Sequence, residues 1–395
     1  MQQIMLEACP KKYTYDQDKA ELPEKTLENV LGILKDRHIE VEFREVQSLL
    51  GIPFYKLMST DPERNYSSYL FSGSSSGKGS TRFQSKCSAL MEWVERVNAG
   101  QIPTRLLNSE EMVHCSYNEL CTNSRIAPKE MLSYSFHPSF KSNASEEILR
   151  HKKMHYLKFQ CLSGQEGAYL PIFWHLYFNC SNGLAAGNTY EEAILQALCE
   201  VVERNNVIET RLRNLKYRRE IVLDTDYKPL RDMSEVLHKQ GITPIIEDWS
   251  CPIPIPTMHC RFGPRAGYGT STSPIKSAIR AITEMVQDYA INEKHCLPPQ
   301  ENIIYPPADK KIELSKIKSL ERQDILSEIK EIVSTLNSMG YQTYVRDISL
   351  QIPVPTVLVV VPGLKCYDFR NQERHLLDFK SNLVQYYNDY LIYLR

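Results

Sequence analysis

The chain has 395 residues, 42% of them apolar, and 47 Lys and Arg balance 48 Asp and Glu to a formal net charge of −1. That is apolar mass enough for one complex domain or two simple ones, and near-neutrality excludes binding of nucleic acid by bulk charge. No run long and apolar enough to span a membrane occurs, the start MQQIMLEACPKKY lacks the basic start and apolar core of a signal peptide, and the 11 cysteines stand singly without a CxxC pair; membrane insertion, a zinc ribbon and an iron–sulfur cluster are disfavoured, and a cytoplasmic, reducing location is expected.

The first predicted element is a short amphipathic helix. Pro23 sits in its first turn, Leu27, Val30, Leu31, Ile33 and Leu34 follow at helical spacing, and it ends between Lys35 and His38. Alternation in IEVEFREV, residues 39–46, predicts a strand. Residues 66–80, YSSYLFSGSSSGKGS, read as a short apolar strand running into a Gly/Ser loop. That loop is no P-loop, because GxxxxGK[ST] needs Ser or Thr after the lysine and Lys78 is followed by Gly79. Behind it Ser88 shares a helix face with Glu92, and Lys78 stands near the helix N-terminus, where an anion binds. Periodicity loosens between 107 and 152, which reads as a peripheral lobe. HYLKFQCL and AYLPIFWHLYF read as paired, aromatic-rich strands, in which His155 and His175 lack a spaced partner and are expected to be packing residues.

From Ser181 to Arg211 the chain passes from a small-residue loop, Gly183 to Asn188, into a helix with apolar Ala193, Leu195, Ala197, Leu198, Val201 and Val202. Glu192, Gln196, Glu200 and Glu203 share one face of it. Carboxylates in one stripe repel unless a cation joins them, and a Gly-containing loop at a helix N-terminus offers N–H groups to phosphate, so the stretch suggests a Mg–nucleotide site. Taken alone, the stripe also reads as a solvated acidic face. Against that, the pattern A-L-x-E-x-V-E-R-x-N occurs twice, over Ala89–Asn98 and over Ala197–Asn206, each time with a glycine, Gly79 or Gly187, the same distance ahead. A fainter third copy, Ala281-Ile-Thr-Glu284, follows the small-residue loop GYGTSTSP. Repetition argues for one site assembled from similar units.

The second half alternates strand-like runs (REIVLDT, ITPIIEDW, IPTMHCRFG, QTYVRDI, VPTVLVVVPG) with helical ones (YKPLRDMSEVLHKQG, PIKSAIRAITEMVQDYAINEK, ILSEIKEIVSTLNSMG), which predicts an α/β fold of sheets covered by helices. Arg280, one turn before Glu284, either reaches a phosphate or pairs with that carboxylate. The tyrosine-rich tail HLLDFKSNLVQYYNDYLIYLR is expected to pack on the body or on a second subunit, as in a homodimer, and not on a membrane.

GKG followed by SALMEWVER, then NGLAAGNTYEEAILQALCEVVER, then SPIKSAIRAITEMVQ resemble, in order and spacing, the signature blocks of the YcaO family, and the resemblance extends over roughly residues 15 to 365. It implies a YcaO-like fold and an ATP- and Mg2+-dependent enzyme acting on a backbone amide of a peptide or protein substrate. A nucleophile attacks the carbonyl, and ATP phosphorylates the resulting oxygen so that it leaves as phosphate. Carried over by motif, Glu92, Glu95, Glu192, Glu200 and Glu203 hold Mg2+. Lys19, Thr26, Ser88, Asn188, Gln196, Arg204 and Arg280 contact the nucleotide, and Lys78 joins them from its place near the helix N-terminus; Lys19 and Thr26 match the family's seven-residue spacing, and Ala185 replaces a serine of some members. The implied organisation is an N-terminal segment, 1–70, contributing to the nucleotide site, and a core, 71–395. Azoline-forming members commonly end in a PxPxP tail, whereas this chain ends YNDYLIYLR with Pro353, Pro355 and Pro362 near a strand-like run. The resemblance therefore implies an external sulfur nucleophile, a thioamide product, and a sulfur-donor or TfuA-like partner protein; a glycine of methyl-coenzyme M reductase is the substrate associated with such stand-alone members in methanogenic archaea. Alternatives are an azoline-forming cyclodehydratase, a non-catalytic nucleotide-binding scaffold, and a carboxylate metal-binding fold without ATP.

Overall fold

The structure, a computed structural model, describes residues 3–46, 51–60, 74–107, 109–123, 127–133, 150–179, 181–212, 216–295 and 306–365. In chain order the elements used below are α1 (Pro23–Asp36), β1 (Val41–Glu45), β2 (Phe54–Ser59), β3 (Ser74–Lys78), α2 (Arg82–Gly100), β4 (Met112–Cys115), α3 (Tyr117–Thr122), β5 (Met154–Cys161), β6 (Ala168–Pro171), α4 (Ile172–Asn179), β7 (Leu184–Ala186) and α5 (Tyr190–Leu212). There follow β8 (Arg219–Val222), α6 (Lys228–Lys239), β9 (Ile245–Asp248), β10 (Thr257–Phe262), β11 (Arg265–Thr270), α7 (Pro274–His295), β12 (Lys311–Glu313), α8 (Ile325–Ser338), β13 (Tyr344–Asp347) and β14 (Thr356–Val360). They form three sheets, β1-β2-β3, β4-β5-β13-β14-β7 with β6 beside β5, and β11-β10-β9-β8-β12. Pairing is antiparallel except between β8 and β12.

Helices cover these sheets through their apolar stripes. Leu90, Trp93 and Val94 of α2 meet Leu27 and Leu34 of α1 and Leu57 of β2. Ala197, Leu198 and Val202 of α5 lie between Val357 and Val359 of β14 and Ile325, Ile329 and Ile332 of α8. Leu230, Met233 and Leu237 of α6 and Ile279, Ile282 and Met285 of α7 bury Ile246 and Met258. At roughly 1.5–3 kcal/mol for each fully buried large side chain, these stripes fix which face of each helix remains for chemistry.

Three small-residue stretches read as loops in the sequence contain strands. Ser74–Lys78 pairs with β2, Leu184–Ala186 with β14, and Arg265–Thr270 with β10. Their Gly, Ser and Ala content gives no strand signal, and in the first and third of them a helix backbone rests directly on the strand. A Cβ at Gly77 would meet the Ser85 carbonyl oxygen at 2.0 Å and the Ala89 nitrogen at 2.2 Å; one at Gly267 would meet the Met285 nitrogen at 2.2 Å and the Ala281 carbonyl oxygen at 2.3 Å. We expect Gly267→Ala to lower stability by about 3 kcal/mol, since backbone must move to admit the methyl. Gly32→Ala in α1, with no atom within 4 Å of the new Cβ, should raise it by about 0.5–1 kcal/mol. Urea denaturation of both variants checks the contrast, and a neutral Gly267→Ala would refute the close packing.

Two other expectations change. The second aromatic strand ends at Pro171, and IFWHLYFN is the helix α4, whose Ile172, Phe173, His175 and Leu176 are all buried. A helix apolar on every side shows no periodicity to tell it from a strand. In the stretch read as a peripheral lobe, β4 pairs with β5, and α3, closed by a capping box between Ser116 and Glu119, places Leu120 fully in the core. Residues 66–71, 134–149 and the tail lie outside the described residues. Among the described residues no helix is long and apolar enough to cross a membrane.

Candidate nucleotide and cation site

The polar faces of α2, α5 and α7 converge on a cleft of ≈ 520 Å³, a volume suited to a nucleotide. All thirteen residues singled out from the sequence line it: Lys19, Thr26, Lys78, Ser88, Glu92, Glu95, Asn188, Glu192, Gln196, Glu200, Glu203, Arg204 and Arg280. Ala185 is buried in the core, and Ala186 takes the position on the cleft wall.

The cleft has two ends of different character. At one, Thr26 Oγ1 donates to Asn188 Oδ1 at 3.0 Å, Asn188 Nδ2 donates to Glu192 Oε2 at 3.0 Å, and the Ala20 N–H donates to the same oxygen at 2.9 Å. Lys19 Nζ lies 3.6 Å from Glu192 Oε1. Glu192 is thus already surrounded by donors. Between the ends Arg280 Nη1 donates to Gln196 Oε1 at 2.8 Å, so Arg280 bonds to the α5 face and is aimed across the cleft.

At the other end carboxylates crowd. Burial pushes the Glu200 carboxyl up to about 7, with Arg204, 3.7 Å away, pulling it down and Glu203 pushing it up. Glu95 is raised well above the usual range by burial, then by Glu200 and Glu92. Glu203 is raised by burial and by Glu284. Glu92 is raised by burial although Arg96, the Ser76 N–H at 3.1 Å and Lys78 favour its anion. Glu284 differs: burial raises it, but Lys78, which bonds its carboxylate directly, and Arg204 more than offset that, and its net shift is downward. Carboxylates that resist ionisation for want of positive charge, beside fixed Lys and Arg, suit a divalent cation together with an anionic ligand. Among the described residues no three His, Cys, Asp or Glu side chains form a ready cation cage. Mg2+ needs none, since it keeps waters and shares one or two carboxylates with phosphate oxygens. The residues present therefore fit Mg–nucleotide.

Sequence reasoning passed over Glu284 as a site residue, although its place in the third A-x-x-E copy matches Glu92 and Glu200. It also missed Ser76, whose backbone bond to Glu92 comes from a strand that read as loop. His155 stacks on His114 at 4.4 Å between centroids, and burial holds His175 down at about 3, so His175 stays neutral and packs, as expected.

The profile of the YcaO cyclodehydratases, described as ATP- and Mg2+-binding, matches residues 76–365. Among curated relatives, an uncharacterized protein of Methanothermobacter thermautotrophicus is 24% identical over 368 residues, covering 80% of this chain and 87% of its own. An uncharacterized protein in the tfuA 3' region of Rhizobium leguminosarum bv. trifolii is 25% identical over 219 residues, covering 47% and 52%. Among solved structures, a heterocyclase in complex with substrate and cofactor matches with a TM-score of 0.72 at 22% identity, covering 92% of this chain and 55% of that one. YcaO from Methanopyrus kandleri bound with AMPPCP and Mg2+ matches with a TM-score of 0.66 at 20% identity, covering 93% and 97%. The chain spans about half the length of the Rhizobium relative and of the heterocyclase. Fold and cleft define an α/β protein whose acidic cleft fits a metal–nucleotide complex. The chain belongs to the YcaO family, an ATP- and Mg2+-binding family.

Proposed function

We propose that this chain activates a backbone amide of a peptide with ATP and that a sulfur nucleophile converts it to a thioamide. The observation that carries the first half is the convergence of two acidic helices, α2 and α5, with Lys78, Arg204 and Arg280 on one cleft. Glu92, Glu95, Glu192, Glu200 and Glu203, joined by Glu284, would hold Mg2+, Glu192 from the Lys19 end. Lys19, Thr26, Ser88, Asn188, Gln196, Arg204 and Arg280 would orient the nucleotide, and Lys78 would stand against developing phosphate charge. Bound Mg–ATP supplies the phosphoryl group that turns an amide oxygen, a poor leaving group, into phosphate. The balance is sulfide in at carbon, oxygen out as phosphate, ATP to ADP, with no change of oxidation state. What the protein contributes is positioning in a recess where charge interactions are strong.

The sulfur half is supported by the relative in the tfuA 3' region and implies a sulfur donor or a TfuA-like partner. The second reading, cyclodehydration of a Cys, Ser or Thr side chain onto the backbone, draws on the likeness to the heterocyclase. Mass spectrometry of a peptide incubated with the enzyme, ATP, Mg2+ and sulfide separates them. Replacement of one oxygen by sulfur is expected; loss of one water would establish cyclodehydration, and ATP consumption with no change of peptide mass would sink both.

A further inference from the structure

The N-terminal loop around residues 9–21 touches the start of every helix that borders the cleft. Its neck is closed by the backbone, with Lys19 N–H donating to the Tyr13 carbonyl at 3.0 Å and Lys12 and Tyr13 N–H donating back to the Lys19 carbonyl at 3.0 and 3.2 Å. Tyr227, just ahead of α6, donates its hydroxyl to the Thr14 and Tyr15 carbonyls at 2.8 Å each. From residue 16 the side chains divide by turns. Gln17, Lys19 and Glu21 line the cleft. Asp16, Asp18 and Ala20 are held to the body at three separate helix starts. Asp16 Oδ2 accepts from the Ser80 N–H at 2.9 Å and hydroxyl at 2.5 Å ahead of α2. Asp18 Oδ1 accepts from Lys276 Nζ at 2.5 Å in the first turn of α7, and Ala20 N–H donates to Glu192 in the first turn of α5.

The Asp18 contact belongs to a buried charge cluster. Lys11 Nζ lies 3.0 Å from Asp18 and 2.6 Å from Glu328 of α8, and Lys276 also donates to Glu321 at 2.5 Å. The side chains of Lys11, Asp18, Lys276 and Glu328 are 2%, 5%, 4% and 0% exposed. Taking such charges out of water costs about what their attraction returns, so an apolar set of equal volume would hold the loop at least as firmly. What charges add is direction: Asp18 meets Lys11 at 3.0 Å and Lys276 at 2.5 Å in the same register in which Lys19, its bonded neighbour, lines the cleft. Lys276 also lies one turn ahead of Arg280, so the pair ties the loop to the helix carrying the cleft's cross-bonded guanidinium.

We propose that Asp18 is a positioning residue for the nucleotide, acting through Lys276 and Lys11 to aim Lys19 across the cleft. This rests on the reading of Lys19 as a nucleotide contact. It is tested by equilibrium binding of a fluorescent ATP analogue with Mg2+ to the full chain, alongside urea denaturation of each variant. Asp18→Asn should weaken binding on the order of tenfold, as should Lys19→Ala, and the double variant should bind no more weakly than Lys19→Ala alone. Because stripping one partner from a buried pair can unfold a chain, the cycle is repeated with Asp18→Leu/Lys276→Met, which removes one charge of each sign and should show the same non-additive loss with folding retained. Additive losses, or wild-type binding by either Asp18 variant, overturn the proposal. Wild-type binding by Lys19→Ala overturns its premise, and absence of binding by the parent chain overturns the nucleotide site itself, so the failures are distinguishable.

Discussion

Glu203→Gln should stop phosphate release from ATP, to at least about 100-fold below the parent chain, while leaving the urea midpoint unchanged or raised. The two halves of this result have one cause. Glu203 stands 5% exposed on α5, where burial and Glu284 make its anion costly in the absence of a cation. An amide of the same shape relieves that repulsion, so the fold does not suffer; it also removes a charge that would hold Mg2+ against the phosphates, so the reaction does. Glu200→Gln should behave alike, since Glu200 is pushed up by the same enclosure. The control is Glu191→Gln on the same helix, whose Oε1 accepts from the Glu7 N–H at 2.8 Å, a bond an amide oxygen can keep. Turnover should survive it. Full phosphate release by both Glu200→Gln and Glu203→Gln would show that the metal ions are held elsewhere.

The cleft was legible in the sequence because its chemistry is written as repetition. Two copies of A-L-x-E-x-V-E-R-x-N on separate helices announce a shared site, and helical spacing alone sets Glu192, Gln196, Glu200 and Glu203 on one face. The long helices of the second half were legible for the same reason, through a one-sided apolar stripe. What could not be read is what depends on partners. Ser74–Lys78 and Arg265–Thr270 look like loops because strand propensity reports side-chain packing, and these strands are packed against backbone through their glycines. Helix α4 was lost because IFWHLYFN is apolar nearly all round, which erases its period. The Asp18 cluster joins residues 11, 18, 276, 321 and 328, whose proximity no local spacing encodes.

A second repeat was overlooked, and it carries the other large prediction. Asp248-Trp-Ser250-Cys-Pro-Ile253-Pro-Ile-Pro-Thr257 and Asp347-Ile-Ser349-Leu-Gln-Ile352-Pro-Val-Pro-Thr356 agree as D-x-S-x-x-I-P-x-P-T, ahead of β10 and β14. Each turn is closed alike: Ser250 and Ser349 donate to Asp248 and Asp347 Oδ1 at 2.5 and 2.7 Å, and accept from the Thr257 and Thr356 N–H at 2.9 Å. The final Asn of each acidic-helix repeat then clasps one turn. Asn98 Nδ2 donates to the Ile352 carbonyl at 3.0 Å and Thr356 Oγ1 at 2.8 Å, while its Oδ1 accepts from the Gln351 and Ile352 N–H at 2.9 and 2.8 Å. Asn206 does the same with Ile253 and Thr257 at 2.9 and 3.1 Å, accepting from the Ile253 N–H at 3.1 Å. Both asparagines are fully buried, so Asn98→Ala or Asn206→Ala strands backbone donors and acceptors without water, and each should cost about 3 kcal/mol or more in urea denaturation. Asn→Asp should do no better, because a carboxylate cannot donate to the isoleucine carbonyl and is itself buried. Each Asn lies one helical turn beyond a cleft carboxylate, Glu95 or Glu203, and so fixes the axial position of that group against the sheet. Phosphate release should therefore fall in any Asn variant that remains folded. An alanine variant within about 0.5 kcal/mol of the parent would mean that apolar packing alone sets the two acidic helices in place.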